Sequence, residues 1–316
     1  MESSSGNFGS FSESVQQLAE RMNPCVLCPR KCEVNRSGST GSPSRVKSRD
    51  KGQVGFCGVG DTPVVSSVGP HFGEESVLVG SGGPFDFAQG GSGTIFFAGC
   101  NLGCIFCQNF DISHHRHGTE VTIEQLAQFM LDLQQLHCSN INLVTPTHVV
   151  APAMAAIESA RKKGLTLPIV YNSGGYDSVE TLKLLEGLID IYMPDMKYSD
   201  STVAAEFSKA PDYPEVNREA VKEMHRQVGD LQLKNGLATR GLLVRHLVLP
   251  NNLAGSFKII DFLAEQISPN TTINVMDQYR PCYKAGLHAK INRRPYADEI
   301  ESVREYAIRK ELNVIS

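Results

Sequence analysis

Seven of the nine cysteines in this 316-residue chain fall into two closely spaced groups. One group has the spacing C-x3-C-x2-C within the segment AGCNLGCIFCQN. The other has the pattern CVLCPRKC, with a fourth cysteine downstream in GFCG. We refer to them as the three-thiol group (Cys100, Cys104 and Cys107) and the four-thiol group (Cys25, Cys28, Cys32 and Cys57).

The three-thiol group suits a metal centre with one ligand missing. A [4Fe–4S] cluster takes four thiolates and a structural zinc ion takes four ligands, so three cysteines leave one coordination position open to chemistry. A zinc site completed by His114, His115 or His117 is the alternative. The group directly follows a predicted strand at 94–97, which is where an α/β barrel carries its active site.

The four-thiol group supplies a complete set of ligands. Four thiolates match either a tetrahedral zinc ion or a second iron–sulfur cluster, and unligated thiols are the remaining alternative. In a reducing compartment, clustered cysteines indicate metal or redox chemistry rather than disulfides. Cys138 and Cys282 stand alone, which is typical of small buried apolar side chains.

Predicted strands and helices alternate from residue 94 onward, which indicates a parallel sheet with right-handed crossovers. Six such units predict an α/β fold, a partial (β/α)6 TIM-type barrel with a small Cys-rich N-terminal extension. The predicted strands are 94–97, 141–144, 169–171, 189–193, 242–249 and 272–276, and the predicted helices are 12–22, 122–136, 152–163, 178–185, 217–227, 256–267 and 295–310. We expect residues 1–60 to form the extension and residues 61–316 the core domain, with a surface loop at 37–51.

Composition excludes several classes of partner. The formal net charge is −4 and there is no basic stripe, so nucleic-acid binding is not expected. No apolar run reaches the roughly 20 residues needed to cross a bilayer. The N-terminus has neither the basic nor the apolar region of a signal peptide. We therefore expect a cytoplasmic protein.

The three-thiol segment resembles the radical SAM superfamily, whose motif is CxxxCxΦC with Φ aromatic. Here the motif is Cys100, Cys104, Phe106 and Cys107. Within the superfamily, GSGTIFFAGCNLGCIFCQN is similar to the pyruvate formate-lyase activating enzyme branch, and the likeness extends over roughly residues 90–285. It implies a [4Fe–4S] cluster whose fourth iron binds S-adenosylmethionine (SAM), with Phe106 against the adenine. Reductive cleavage of SAM then gives a 5′-deoxyadenosyl radical.

Two further segments resemble SAM-binding loops of that branch. YNSGGYD places Asn172 and Ser173 where the family has a carboxylate and a hydroxyl. IYMPDMKY matches the family's M-x-D-x-K segment through Met193, Asp195 and Lys197. Residues at i and i+2 on a strand end point the same way, so this aspartate and lysine can hold a zwitterionic methionine or a cation. An ordinary salt bridge is the alternative.

The remaining candidates for SAM contact lie on other strand ends. VRHLVLP resembles the family's R-x-V-V-V-P segment, which puts Arg245 at the SAM carboxylate. In MDQYRP, Gln278 or Tyr279 falls where the family often has a polar contact. The family's Gly-Gly-Glu after the second strand is replaced here by LVTPTH, in which Thr145, Thr147 and the backbone can supply acceptors.

The resemblance implies hydrogen-atom abstraction from a substrate, with a flavodoxin- or ferredoxin-type electron donor. A six-stranded barrel is open on one side, so we expect a protein substrate, with a backbone glycine of a partner enzyme as the single best candidate. Radical modification of another peptide or of a small molecule is one alternative. The other is an iron–sulfur electron carrier or redox sensor, which would not need the polar strand ends around Asp195, Lys197 and Arg245.

Overall fold

The computed structural model describes residues 8–36, 54–80 and 90–315. The predicted surface loop 37–51 and most of the glycine-rich stretch before the first barrel strand lie outside these ranges. The strands are β1 (Val64–His71), β2 (Ser92–Phe97), β3 (Thr119–Glu120), β4 (Ile141–Val144), β5 (Ile169–Ser173), β6 (Ile191–Pro194), β7 (Gln232–Lys234), β8 (Leu237–Leu247), β9 (Thr272–Met276) and β10 (Asn313–Ile315).

All six predicted strands are present and lie side by side as β2, β4, β5, β6, β8 and β9, each parallel to the next. β10 extends this parallel series beyond β9, and β1 pairs antiparallel with β2 at the other end. Nine of the ten described strands follow the order β10-β9-β8-β6-β5-β4-β2-β1-β3 without closing into a ring, and β7 pairs antiparallel with β8 off this path. The predicted α/β fold with an open, partial barrel is confirmed.

The helices are α1 (Glu13–Glu20), α2 (Ser76–Val79), α3 (Phe110–Ser113), α4 (Ile123–Gln135), α5 (Val150–Lys162), α6 (Val179–Lys183), α7 (Ser201–Ser208), α8 (Tyr213–Val228), α9 (Ser256–Phe262) and α10 (Ala297–Arg309). Thr122 and Gln125 form a capping box at the start of α4. α5 begins two residues before Pro152, because a proline in the first turn lacks only an N–H that would have no helical partner. Among the described residues, no helix is both long and apolar enough to span a membrane.

Alternate residues of the strands face two separate apolar layers. The outer layer packs the strands against helices such as α4 and α5, and α1 from the N-terminal extension joins it through Val15 and Leu18. The inner layer lines the barrel lumen and includes Val170, Met193 and Leu243. Leu78 of the short α2 packs into this lumen, so α2 helps to fill the interior of the barrel.

Candidate active site

The three-thiol group lies on the loop that leaves the C-terminal end of β2. Each sulfur has a polar neighbour from the same loop or an adjoining element. The Leu102 N–H donates to Cys100 Sγ at 3.3 Å, Cys104 Sγ lies 2.9 Å from Ser208 Oγ, and Cys107 Sγ lies 3.2 Å from Ser113 Oγ. The sulfurs are therefore held by hydrogen bonds at the sheet edge where an active site is expected.

The donor set fits an iron–sulfur cluster. Burial raises the pKa of the Cys100 and Cys104 thiols, with neighbouring thiols adding to the effect at each. The Lys197 ammonium lies close enough to Cys104 to oppose it. Bound metal deprotonates a coordinating thiol outright, so iron would supply the positive charge that these buried sulfurs need as thiolates. The residues that would hold the cluster are the three cysteines.

The zinc alternative for this group finds no support in the described residues. Within them, no three His, Cys, Asp or Glu side chains approach closely enough to hold a single metal ion. The ring Nε2 of His114 lies 2.9 Å from the Cys104 carbonyl oxygen instead of beside a sulfur. His115 pairs with Asp111 at 3.3 Å. The histidines that follow the three-thiol group therefore do not complete a tetrahedral site.

A network of charges borders the three-thiol group. Asp195 Oδ2 lies 2.5 Å from Lys197 Nζ, and Asp195 Oδ1 lies 3.0 Å from Arg245 Nε. Arg245 Nη2 also donates to Asn172 Oδ1 at 2.6 Å. Burial acts to raise the pKa of the Asp195 carboxyl, but Arg245 and Lys197 outweigh it and hold that pKa below its usual range. Four of the predicted site residues are thus joined in one place.

Two carboxylates that the sequence analysis did not single out reach the same network. Glu74 Oε2 lies 3.8 Å from Arg245 Nη1, and Glu75 Oε1 accepts from Asn274 Nδ2 at 3.1 Å. Burial raises the pKa of Glu74 to about 7, with Arg245 opposing the change and Glu75 adding to it. Both glutamates precede α2 and belong to no recognisable motif, so only the path of the chain into the lumen reveals them.

Residues of α8 hold the loops that carry the network. The Tyr213 hydroxyl accepts the Lys197 N–H at 3.0 Å and lies 2.9 Å from the Gly174 carbonyl. Asn217 Nδ2 lies 2.9 Å from the Gly175 carbonyl and 3.0 Å from that of Asp195. Both side chains are fully buried. They are positioning residues, and no local sequence signal marks them.

A buried carboxylate, Asp177, receives three hydroxyl groups. Thr147 Oγ1 donates at 2.7 Å, Tyr171 at 3.0 Å and Ser173 Oγ at 2.6 Å. Burial nevertheless raises the pKa of Asp177. The hydroxyls of Thr147 and Ser173, two of the predicted SAM contacts, both donate to Asp177 in this structure, and their role toward SAM stays a prediction.

The other predicted contacts lie around the same edge with different degrees of exposure. Phe106 is buried, with its ring edge-on to Tyr279 at a centroid distance of 5.7 Å. Met193 lies in the lumen. Thr145 has a positive φ of 60° and donates its N–H to the Asn172 carbonyl. Gln278 is exposed, with Nε2 3.5 Å from Met276 Sδ.

The four thiols of the N-terminal group converge although they come from two segments. Cys25, Cys32 and Cys57 all lie close enough to Cys28 to affect its ionisation, and burial raises the pKa of Cys28 to about 12. The Phe56 N–H donates to Cys32 Sγ at 3.3 Å. No three of these sulfurs are close enough to share one metal ion. The same is true of the sulfurs of the three-thiol group.

The N-terminal segment and the cluster loop are joined by a buried seam. Arg30 Nε donates to the Asn101 carbonyl at 2.8 Å. His148, from the VTPTH segment, contacts the Ala98 carbonyl through Nε2 at 2.8 Å, while its own carbonyl accepts from Arg36 at 2.8 Å. Burial lowers the pKa of His148 to about 4, so this imidazole is neutral at pH 7. These contacts hold the segment that carries the four-thiol group against the loop that carries the three-thiol group.

Comparison with known proteins adds three findings. Residues 94–253, which are 160 of the 316, match the sequence profile of the Radical SAM superfamily. The uncharacterized protein MJ0674 of Methanocaldococcus jannaschii is 31% identical over 301 residues, covering 92% of this chain and 76% of that protein. Crystal structures of Streptococcus suis SuiB, bound to S-adenosylmethionine or to the precursor peptide SuiA, share 13% identity at a TM-score of 0.47. These matches cover 68% of this chain but less than half of SuiB.

Proposed function

This chain belongs to the radical SAM superfamily, and on that premise we propose that it is an enzyme that abstracts a hydrogen atom from a protein substrate, as glycyl-radical activating enzymes do. Membership implies a [4Fe–4S] cluster and SAM. The three-thiol group would hold the cluster. When bound, the reduced cluster supplies the electron that cleaves SAM to methionine and a 5′-deoxyadenosyl radical.

The observation that carries the proposal is the position of Lys197. Its ammonium pairs with Asp195 at 2.5 Å and is also close enough to Cys104 to act on its ionisation. Lys197 thus lies between a cluster ligand and a buried network of ion pairs. The methionine part of SAM, chelated to the open iron, would contact a cation in this position. An electron carrier has no need of such a network.

We propose roles for the charged side chains from this arrangement. Lys197 and Arg245, each with 18% of the side chain exposed, face the SAM carboxylate. Glu74 accepts from the SAM amino group and so takes the place of the Gly-Gly-Glu that LVTPTH lacks. A carboxylate with a raised pKa suits this role, because a bound ammonium group stabilises its charged form.

Three further assignments complete the proposal. The electron donor is of the flavodoxin or ferredoxin type. The four-thiol group is a second metal site, either iron–sulfur or zinc. The substrate is a protein whose backbone glycine enters from the open side of the sheet, between the edges formed by β3 and β10.

A small-molecule substrate is the second candidate, and one observation favours it. The connection between β9 and α10 lies over the cluster loop, where the Lys284 N–H donates to the Ile105 carbonyl at 2.8 Å and Gln108 Nε2 donates to the Gln278 carbonyl at 3.3 Å. This segment covers part of the site, and a small substrate needs such closure more than a docked protein does.

The enzymatic proposal is tested by reconstituting the cluster anaerobically and adding SAM. We expect the electron paramagnetic resonance signal of the reduced cluster to shift on SAM addition, and methionine to be released. An unchanged signal would contradict SAM binding at the iron. For the substrate, a candidate partner enzyme labelled with deuterium should transfer label to 5′-deoxyadenosine. Efficient transfer from a free metabolite, with no protein partner present, would favour the small-molecule candidate.

A further inference from the structure

We propose that the four-thiol group holds an iron–sulfur cluster rather than zinc, and that this cluster is where the electron for SAM cleavage enters the protein. The inference rests on the proposed function of the three-thiol group. It assigns both the type of metal centre and its role, which the superfamily profile does not cover, because the profile match begins at residue 94.

The spacing of the sulfurs favours a cluster. Zinc–sulfur bonds of about 2.3 Å in a tetrahedron place thiolates about 3.8 Å apart. The four thiols are near neighbours of Cys28, yet no three described side chains of suitable type could share one ion. The same holds for the three-thiol group, which belongs to a [4Fe–4S] superfamily. A cluster of several atoms accommodates this wider arrangement.

The surroundings of the sulfurs are also those of a cluster with negative charge. The Phe56 N–H is directed to Cys32 Sγ at 3.3 Å, as the Leu102 N–H is to Cys100 Sγ. The guanidinium of Arg36, only 1% exposed, has Nη1 3.8 Å from Cys25 Sγ. Hydrogen bonds to sulfur and nearby positive charge are the means by which a protein tunes the reduction potential of such a cluster.

The two cysteine groups are in direct contact through their backbones. A methyl group built on Gly99 would lie 2.9 Å from the Cys57 carbonyl oxygen, so Cys57 abuts the residue that precedes Cys100. On the other flank, Arg30 lies two residues after Cys28 and donates to the carbonyl of Asn101. An electron leaving the four-thiol group therefore crosses one packing contact to reach a ligand of the three-thiol group.

Phe56 marks the side from which a donor reaches the four-thiol group. The thiols of the two groups do not differ in exposure in a way that sets a direction, but Phe56, next to Cys57 in the chain and hydrogen-bonded to Cys32 Sγ through its N–H, is 43% exposed and its ring offers a protein donor an apolar contact. The three-thiol loop is covered by the segment that carries Lys284 and is bordered by the ion network. One electron passes from a one-electron protein donor to the four-thiol cluster, and then to the three-thiol cluster, where SAM consumes it. The four-thiol cluster is thereby returned to its oxidised state.

The metal content tests the assignment without any enzymatic assay. The Cys28→Ser/Cys57→Ser variant, a variant with all three of Cys100, Cys104 and Cys107 changed to Ser, and a Cys138→Ser control are reconstituted with iron and sulfide. We expect each cluster variant to lose about four iron atoms per chain relative to the control. Circular dichroism verifies that each variant is folded. Zinc without iron in the variant that lacks the three-thiol group would overturn the proposal, as would a metal-free protein.

The role is tested by comparing two reductants. SAM cleavage is driven either by flavodoxin with its reductase or by dithionite, and the ratio of the two rates is measured. We expect this ratio to fall at least tenfold in the Cys28→Ser/Cys57→Ser variant and to stay at the wild-type value in Cys138→Ser. An unchanged ratio would refute electron entry through the four-thiol group. If wild-type protein cleaves no SAM even with dithionite, the proposed function fails, while the iron and sulfide analysis still decides the type of centre.

Discussion

The two cysteine groups differ in what surrounds them more than in the sulfurs themselves. Both have converging, partly or fully buried thiols, and both receive backbone N–H groups. The three-thiol group comes from one loop and opens onto the paired charges of Asp195, Lys197 and Arg245. The four-thiol group comes from two segments and brings together four sulfurs, which is a complete ligand set for the metal centre we propose there. The difference supports the two proposals, that the three-thiol centre binds a further molecule and that the four-thiol centre exchanges electrons.

The largest difference is expected from removing one ligand of each group. Cys104→Ala should abolish SAM cleavage with any reductant, because two thiolates cannot retain a cluster with one open iron. Cys28→Ala should leave measurable cleavage with dithionite. Methionine release after anaerobic reconstitution is the measurement, with Cys138→Ala as the control. An active Cys104→Ala protein would refute the assignment of the three-thiol group.

The stability of the protein should depend on pH mainly through Glu74, which contacts the charge network that borders the three-thiol group. Its pKa is raised from 4.5 to about 7 by burial, so between these values the folded protein holds a proton that the unfolded chain has lost. The free energy of unfolding should therefore decrease by roughly 3 kcal/mol as the pH rises through this interval. Denaturant titrations at pH 5 and pH 7.5 measure it. Glu74→Gln should remove most of the decrease, and an equal decrease in the variant would show that another group is responsible.

Removing Arg245 should weaken SAM binding without removing iron. Loss of a hydrogen bond to a charged group costs about 1.5–3 kcal/mol, so Arg245→Ala should raise the dissociation constant for SAM roughly tenfold or more. Arg226→Ala is the matched control, because its half-exposed guanidinium also pairs with two carboxylates, Glu186 and Glu223, which are not part of the proposed site. Equilibrium binding to the reconstituted proteins gives the constants. Equal affinity in both variants would show that Arg245 only stabilises the barrel edge.

Disturbing the contact between the two cysteine groups should have the smallest effect. It is measured by comparing the free energies of unfolding of two glycine variants. Both Gly99 and Gly164 have positive φ, +84° and +100°. A methyl group on Gly99 would lie 2.6 Å from Val59, whereas on Gly164 it would meet nothing within 4 Å. Gly99→Ala should thus cost about 1–2 kcal/mol more than Gly164→Ala in the free energy of unfolding. Equal costs would mean that Gly99 is not tightly packed against Val59 and Cys57 in solution.

Short-range patterns predicted the barrel strands and the charged strand ends, because burial of each strand and direction of each side chain are local properties. Cys100, Asp195, Lys197 and Arg245 were selected through short motifs that resemble those of the radical SAM family and that follow these strands. β10 and the antiparallel β1 were missed because pairing at a sheet edge depends on residues far away in the chain. The short helix α7 had a usable signal in its N-cap, Asp200, which accepts from two backbone N–H groups.

The unpredicted part of the site consists of residues whose role depends on packing alone. Glu74 reaches Arg245 only because α2 turns into the lumen. Tyr213 and Asn217 hold the Gly174–Gly175 and Asp195 backbones from a helix whose sequence shows nothing but amphipathic spacing. Similarly, the position of Asp177 relative to Thr147 is a tertiary contact. No periodicity or spacing rule carries this information.

The sharing of one apolar layer between α1 and α5 has a consequence for how this protein can vary. Val15 and Leu18 of α1 and Leu27 beyond it are buried in the same layer as Val59 and the strands of the barrel. The N-terminal segment is therefore not a detachable module. A recombination joint near residue 60 would separate two halves of one interior, leaving apolar surface on both. Exchange of this barrel between proteins, natural or engineered, would have to carry the N-terminal cysteines along with it.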